Sequence, residues 1–100
     1  VPRFRLTRAA ADDLTAIFLE GIGQFGLPQA DAYHEGLSAI FAFLADYSHA
    51  ARLREEISPP VLVHPYKAHL VIYDVGDENE VIILRVRHGR EDWISSTYDG

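Results

Sequence analysis

The side chains best equipped for chemistry cluster near the C-terminus. Arg85, Arg87, His88 and Arg90 follow one another with no acid among them. In a strand over Glu80 to His88, alternation places Ile82, Leu84, Val86 and His88 on one side and Val81, Ile83, Arg85 and Arg87 on the other. The first set is expected to meet the helices. The second then opens to solvent at its C-terminal half and presents two arginines side by side, with Tyr73 of a neighbouring strand placed to stack on a guanidinium. The alternative is that acids of the same chain pair with them. A histidine beside an arginine pair suits general acid–base work. That singles out His88, with His64 and His69 behind it, although a strand-end histidine also serves as a hydrogen-bonded structural residue. The five histidines (His34, His49, His64, His69 and His88) show no i, i+4 spacing, so no metal site is expected. The absence of cysteine excludes disulfides, thiolate metal sites and cysteine nucleophiles. There is no nucleophile elbow, P-loop or dinucleotide fingerprint. Gly21-Ile22-Gly23 falls inside a helical stripe and reads as helix packing. Trp93, the only tryptophan, either fastens the tail or anchors a partner.

The elements that must position these residues are legible from hydrophobic period. Arg3 to Thr7 alternates and reads as a short strand. Leu14, Ile17, Phe18, Ile22 and Phe25 recur at steps of three and four, which marks one face of a helix. Thr7 is its expected N-cap, and Asp12 and Asp13 are expected in its first turn. Gly26 is placed to end it in a left-handed conformation, and Pro28 opens a second helix. Ala30, Tyr33, Leu37, Ile40, Phe41 and Leu44 form the second stripe, which runs to about Asp46. A link of two or three residues forces an antiparallel helical hairpin. Ser48 to Pro60 reads as irregular. Strands follow over Val61 to Tyr66, broken or set at an edge by Pro65, over His69 to Val75, and over Glu80 to His88. The last two make a hairpin around Gly76 to Asn79. The tail from about residue 90 to 100 reads as a short helix or frayed end. Helices grouped with helices and strands with strands give an α+β fold of order β-α-α-β-β-β. The hairpin covers one face of a mainly antiparallel sheet, and the other face stays partly open.

One hundred residues fit a single domain spanning 1–100. A hydrophobic share of 48% with 24% charged residues argues against a disordered chain. No apolar run approaches the roughly 18–20 residues that span a bilayer, and the N-terminus lacks signal-peptide architecture. A cytoplasmic protein is the expectation. Nine basic residues against fifteen acidic ones give a net charge of −6, a poor balance for general nucleic-acid binding. Acids such as Asp12, Glu55 and Glu78 read as a solvated face.

Laid along these elements, the order of residues resembles one family. Phe4-Arg5-Leu6-Thr7-Arg8-Ala9-Ala10, then Asp13-Leu14 and Ile17, are similar to the opening of ParE toxins of bacterial type II toxin–antitoxin systems, in the RelE/ParE superfamily. Phe25-Gly26, Gln29-Ala30, Tyr33 and Leu37 continue the likeness. So do His64-Pro65-Tyr66, His69 to Tyr73, and the run from Val81 to Trp93. The resemblance implies the RelE/ParE toxin fold and a protein that inhibits DNA gyrase without being an enzyme. It implies no cofactor. A ParD-type antitoxin would wrap the toxin with its C-terminal segment and bind operator DNA through its dimeric N-terminal domain, making the toxin part of an autoregulatory complex. Target contacts are placed on Arg85, Arg87, Arg90, Trp93 and Tyr98. Antitoxin contacts are placed on Leu14, Phe18, Tyr33, Leu37, Phe41, Tyr47 and Tyr73, with basic antitoxin residues opposite Asp12, Asp13 or Glu20. RelE relatives instead cut mRNA on the ribosome. On that alternative Arg85, Arg87 and His88 would be catalytic, but a single lysine, Lys67, and a charge of −6 give little attraction to ribosomal RNA. A third alternative is a non-toxic partner in a repressor complex.

Overall fold

Thr7 starts the first helix. Its hydroxyl accepts a hydrogen bond from the Ala10 amide at 3.1 Å and donates one to the Leu84 carbonyl at 2.8 Å. The first bond satisfies an N–H that the helix itself cannot pair. The second ties the helix start to a strand far away in sequence. The computed structural model describes residues 3–49, 52–55 and 60–90. Within them β1 is Phe4–Leu6, α1 is Arg8–Phe25, α2 is Leu27–Asp46, β2 is Arg52–Arg54, β3 is Val61–Tyr66, β4 is His69–Val75 and β5 is Val81–His88, with a short 3-10 turn at Asp77–Asn79 between the last two strands. Because α1 begins at Arg8, Asp12 and Asp13 lie in its second turn and not the first.

Only Gly26 separates the two helices, one residue where the sequence suggested two or three. Its φ of 89° and ψ of 163° are open to glycine and almost closed to other residues. The positive φ is as expected, but the ψ is extended, not that of a left-handed helical residue. The Gly26 amide donates to the Ile22 carbonyl at 3.0 Å, and Pro28 occupies the first turn of α2. So tight a corner folds the helices antiparallel.

The sheet has five strands in the order β1-β5-β4-β3-β2. β1 runs parallel to β5, pairing Phe4 with Val81 and Leu6 with Ile83, and the other pairs are antiparallel. β2 was not legible in the sequence, where three residues, Arg-Leu-Arg, sit inside a polar stretch. It pairs with Val61 to Val63 only. Pro65 therefore lies in the part of β3 that β2 does not reach, and its missing N–H leaves no ladder bond unmade.

The helices cover one sheet face. Ala10, Leu37, Phe41 and Leu44 bury against Leu62, Val71, Tyr73, Val81, Ile83 and Val86. The expected facing of β5 is thus reversed at Val81 and Ile83, while Val86 faces the helices as anticipated. The cause is a bulge: Ile83 pairs with Tyr73 and Arg85 with Ile72, which leaves Leu84 without a partner. The extra residue shifts the alternation midway along the strand. Leu84 packs instead on the opposite face with Val61, Val63 and Ile72. Those last three are buried, so the second face, expected to stay partly open, is closed at its centre. Among the described residues no helix is long and apolar enough to cross a membrane.

Candidate functional site

β1 pairs with β5 only as far as Ile83, which leaves the next stretch of that edge to α1. Asp13, one turn and a half into the helix, closes it. Its Oδ2 accepts from the Val86 amide at 3.0 Å and from Arg85 Nε at 2.8 Å, and its Oδ1 accepts from an Arg85 terminal nitrogen at 2.9 Å. Arg87 approaches the same carboxylate at 3.5 Å. The Arg85 side chain is 11% exposed and that of Arg87 22%. The two guanidiniums therefore do not open to solvent side by side. A bidentate carboxylate holds one and shares its charge with the other. Tyr73 does not stack on them either. It is buried in the core, its hydroxyl donating to the Ser48 carbonyl at 2.7 Å.

The open feature is a groove of about 920 Å³ between the helical hairpin and the end of the sheet. Leu14, Ile17 and Phe18 of α1 form one wall, Tyr33 and His34 of α2 contribute another, and Leu37 lies at its floor. The β3–β4 turn supplies Lys67, and the end of β5 supplies Arg87, His88 and Arg90. Of the residues expected to meet an antitoxin, Leu14, Phe18 and Tyr33 thus line one groove. Leu37 is 1% exposed and reaches the groove only as its floor. Phe41 and Tyr73 are core residues, removed from any surface by the packing of α2 on the sheet. Tyr47 is 62% exposed but lies outside the groove, its ring 5.1 Å from that of Phe43. Trp93 and Tyr98 lie outside the described residues.

At the mouth of the groove the structure gathers a polar set. The Tyr33 hydroxyl is 2.7 Å from Nδ1 of His69, a hydrogen bond whose direction follows the histidine tautomer. The His69 ring stands 5.4 Å from that of His88, and the Tyr33 ring 5.1 Å from that of Tyr66. Burial pushes the Tyr33 phenol above its ordinary 10.0, against the weaker lowering effect of a backbone hydrogen bond at Ala68, and Tyr66 adds to the rise. The phenol stays protonated at neutral pH. Tyr66 reaches this place because α2 carries glycine at position 36, where any Cβ would overlap the Tyr66 hydroxyl. Sequence reasoning missed Lys67 and the Tyr33–His69 contact. The available signal was the chain's only lysine in a two-residue turn. Among the described residues no group of three or more His, Cys, Asp or Glu could hold a metal ion.

Comparison with known proteins agrees with this architecture. The structure is similar to a chain of the chromosomal ParDE toxin–antitoxin system from P. aeruginosa, with a TM-score of 0.74 and 22% sequence identity over 86% of this chain and 94% of that one. At that identity the likeness speaks for the fold. No curated protein matches the sequence. The family model described as ParE toxin of type II toxin–antitoxin system, parDE, matches residues 4–93. A match of that extent, over a helical hairpin laid on a five-stranded sheet, settles the family: the chain belongs to the ParE toxins of type II toxin–antitoxin systems.

Proposed function

We propose that this toxin acts in the cytoplasm by inhibiting DNA gyrase, without turnover of a substrate, and that a ParD-type antitoxin neutralises it in an autoregulatory complex on operator DNA. The observation that carries the antitoxin half is the groove. Its apolar wall of Leu14, Ile17 and Phe18 over Leu37 has the form that takes the apolar face of an amphipathic helix. Family membership supports the gyrase half. Contacts with gyrase are assigned to Arg87 and Arg90, together with Trp93 and Tyr98 of the stretch outside the described residues. Arg85 belongs to that surface only if its bond to Asp13 opens. The test is a supercoiling assay with purified gyrase and the full chain. Inhibited supercoiling or trapped cleavage is expected, and full supercoiling at saturating toxin would remove gyrase as the target.

One observation favours an mRNA endonuclease as the second reading. Tyr33, His69, His88 and Lys67 converge at the groove mouth, and such groups can move protons and hold phosphate. The Asp13 clamp on Arg85 weighs against it, because that guanidinium is already committed to a carboxylate. Induced expression separates the readings. Filamentation with a DNA-damage response supports gyrase, and prompt translation arrest with cleaved mRNA supports the nuclease. Unimpaired growth leaves a partner in a repressor complex.

A further inference from the structure

We infer that the antitoxin segment filling the groove is an amphipathic helix with carboxylates at the end that meets Lys67 and Arg90; this rests on reading the groove as the antitoxin's seat. The sequence alone suggested the opposite polarity, with basic antitoxin residues facing Asp12, Asp13 or Glu20. The structure narrows that attraction: Asp12 does not line the groove, Glu20 keeps its charge at an exposed position, and only Asp13 is neutralised within the chain. Asp13 is engaged by Arg85 and Arg87, and the Glu20 carboxylate accepts a hydrogen bond from Gln24 at 3.1 Å.

The cations at the other side of the groove are differently placed. Among the described residues no carboxylate lies within ion-pair reach of Lys67 or Arg90. Lys67 is the only lysine of a chain with net charge −6. It sits at a φ of 51°, in a two-residue turn where glycine or asparagine costs less. A lysine at such a position breaks the local rule, as functional residues do. Its ammonium lies 5.7 Å from the Tyr33 ring centre and 5.4 Å from that of Tyr66, so both rings hold the charge over the groove mouth. An occupant must therefore offer an apolar stripe to Leu14, Ile17 and Phe18 and negative charge to Lys67 and Arg90. An acidic-ended amphipathic helix does both, whereas a nucleic-acid backbone brings no apolar stripe.

The experiment measures the affinity of the full chain for a separately purified ParD-type antitoxin at low and at physiological salt. Lys67→Glu with Arg90→Glu should weaken binding about tenfold, or about 1.4 kcal/mol, and flatten its salt dependence. Lys67→Gly relieves the positive φ, so its loss of affinity cannot be ascribed to misfolding. Exchanging the carboxylate residues at that end of the antitoxin helix for lysines should restore binding to the double variant. Unchanged affinity in both toxin variants overturns the charge assignment and leaves the antitoxin reading standing. No binding by the unaltered chain overturns that reading and this inference together. Displacement of the antitoxin by a short single-stranded RNA would give the cations to nucleic acid and overturn the assignment.

Discussion

Asp13 binds one guanidinium bidentately, approaches a second, and satisfies a backbone N–H at a sheet edge. Its removal strands Arg85, a charge that is almost buried. Asp13→Ala should cost about 2–4 kcal/mol, read from the urea midpoint. Arg85→Ala should destabilise by a similar amount and Arg87→Ala by less, since Arg87 is more exposed and farther from the carboxylate. A loss of toxicity in Arg85→Ala that comes with a lowered midpoint reports on folding, not on target contact. Tyr33 makes a prediction about pH. Its folded-state pKa is raised above 10.0, so the folded chain holds the proton longer than the unfolded one. That contribution is complete below pH 10 and is lost as the pH climbs through the folded value. Stability should fall with rising alkalinity, and Tyr33→Phe should remove that part of the slope in urea titrations from pH 9 upward.

At the scale of elements, two helical glycines make opposite demands. Gly23 on α1 has open space around it, so Gly23→Ala should stabilise by about 0.5–1 kcal/mol through helix propensity alone. Gly36 on α2 faces the Tyr66 hydroxyl, and Gly36→Ala must displace that ring. The strain should outweigh the propensity gain and leave a net loss of about 1–2 kcal/mol. Thermal melts of the two variants should move in opposite directions, and ring shifts of Tyr33 and Tyr66 in NMR spectra should accompany only the second. The bulge at Leu84 works at the same scale. It lets β5 give Val81, Ile83 and Val86 to the helices while Leu84 packs behind, and it carries Arg85 to the edge where Asp13 waits.

For the whole molecule, the groove leaves apolar helix surface uncovered beside a core built without disulfides or, among the described residues, a metal cluster. A partner that binds only the folded chain stabilises it by mass action, about 2.7 kcal/mol at a hundredfold excess over Kd. For a chain of this size that corresponds to a rise of about 10–20 °C in Tm. Calorimetry of the toxin with its antitoxin should show the rise, and a Tm that does not move with antitoxin concentration would dismiss the groove as its seat.

Local chemistry made much of the architecture readable without coordinates. Helix period, the Thr7 cap, the Gly26 corner and the Pro28 start are written in a few consecutive residues each, because capping and turn geometry act within one helical turn. The long strands are equally local, since β-branched and aromatic residues announce them. The candidate groove was half legible: Leu14, Phe18 and Tyr33 follow from two facing stripes. Its electrostatics were not. Strand alternation cannot foresee a bulge, which arises from how β4 and β5 pair. Nor does one-dimensional order place Asp13 beside Arg85, seventy-two residues away. Burial, charge pairing and the lack, among the described residues, of a carboxylate beside Lys67 and Arg90 depend on distances through space between segments far apart in the chain, and only the folded molecule sets those.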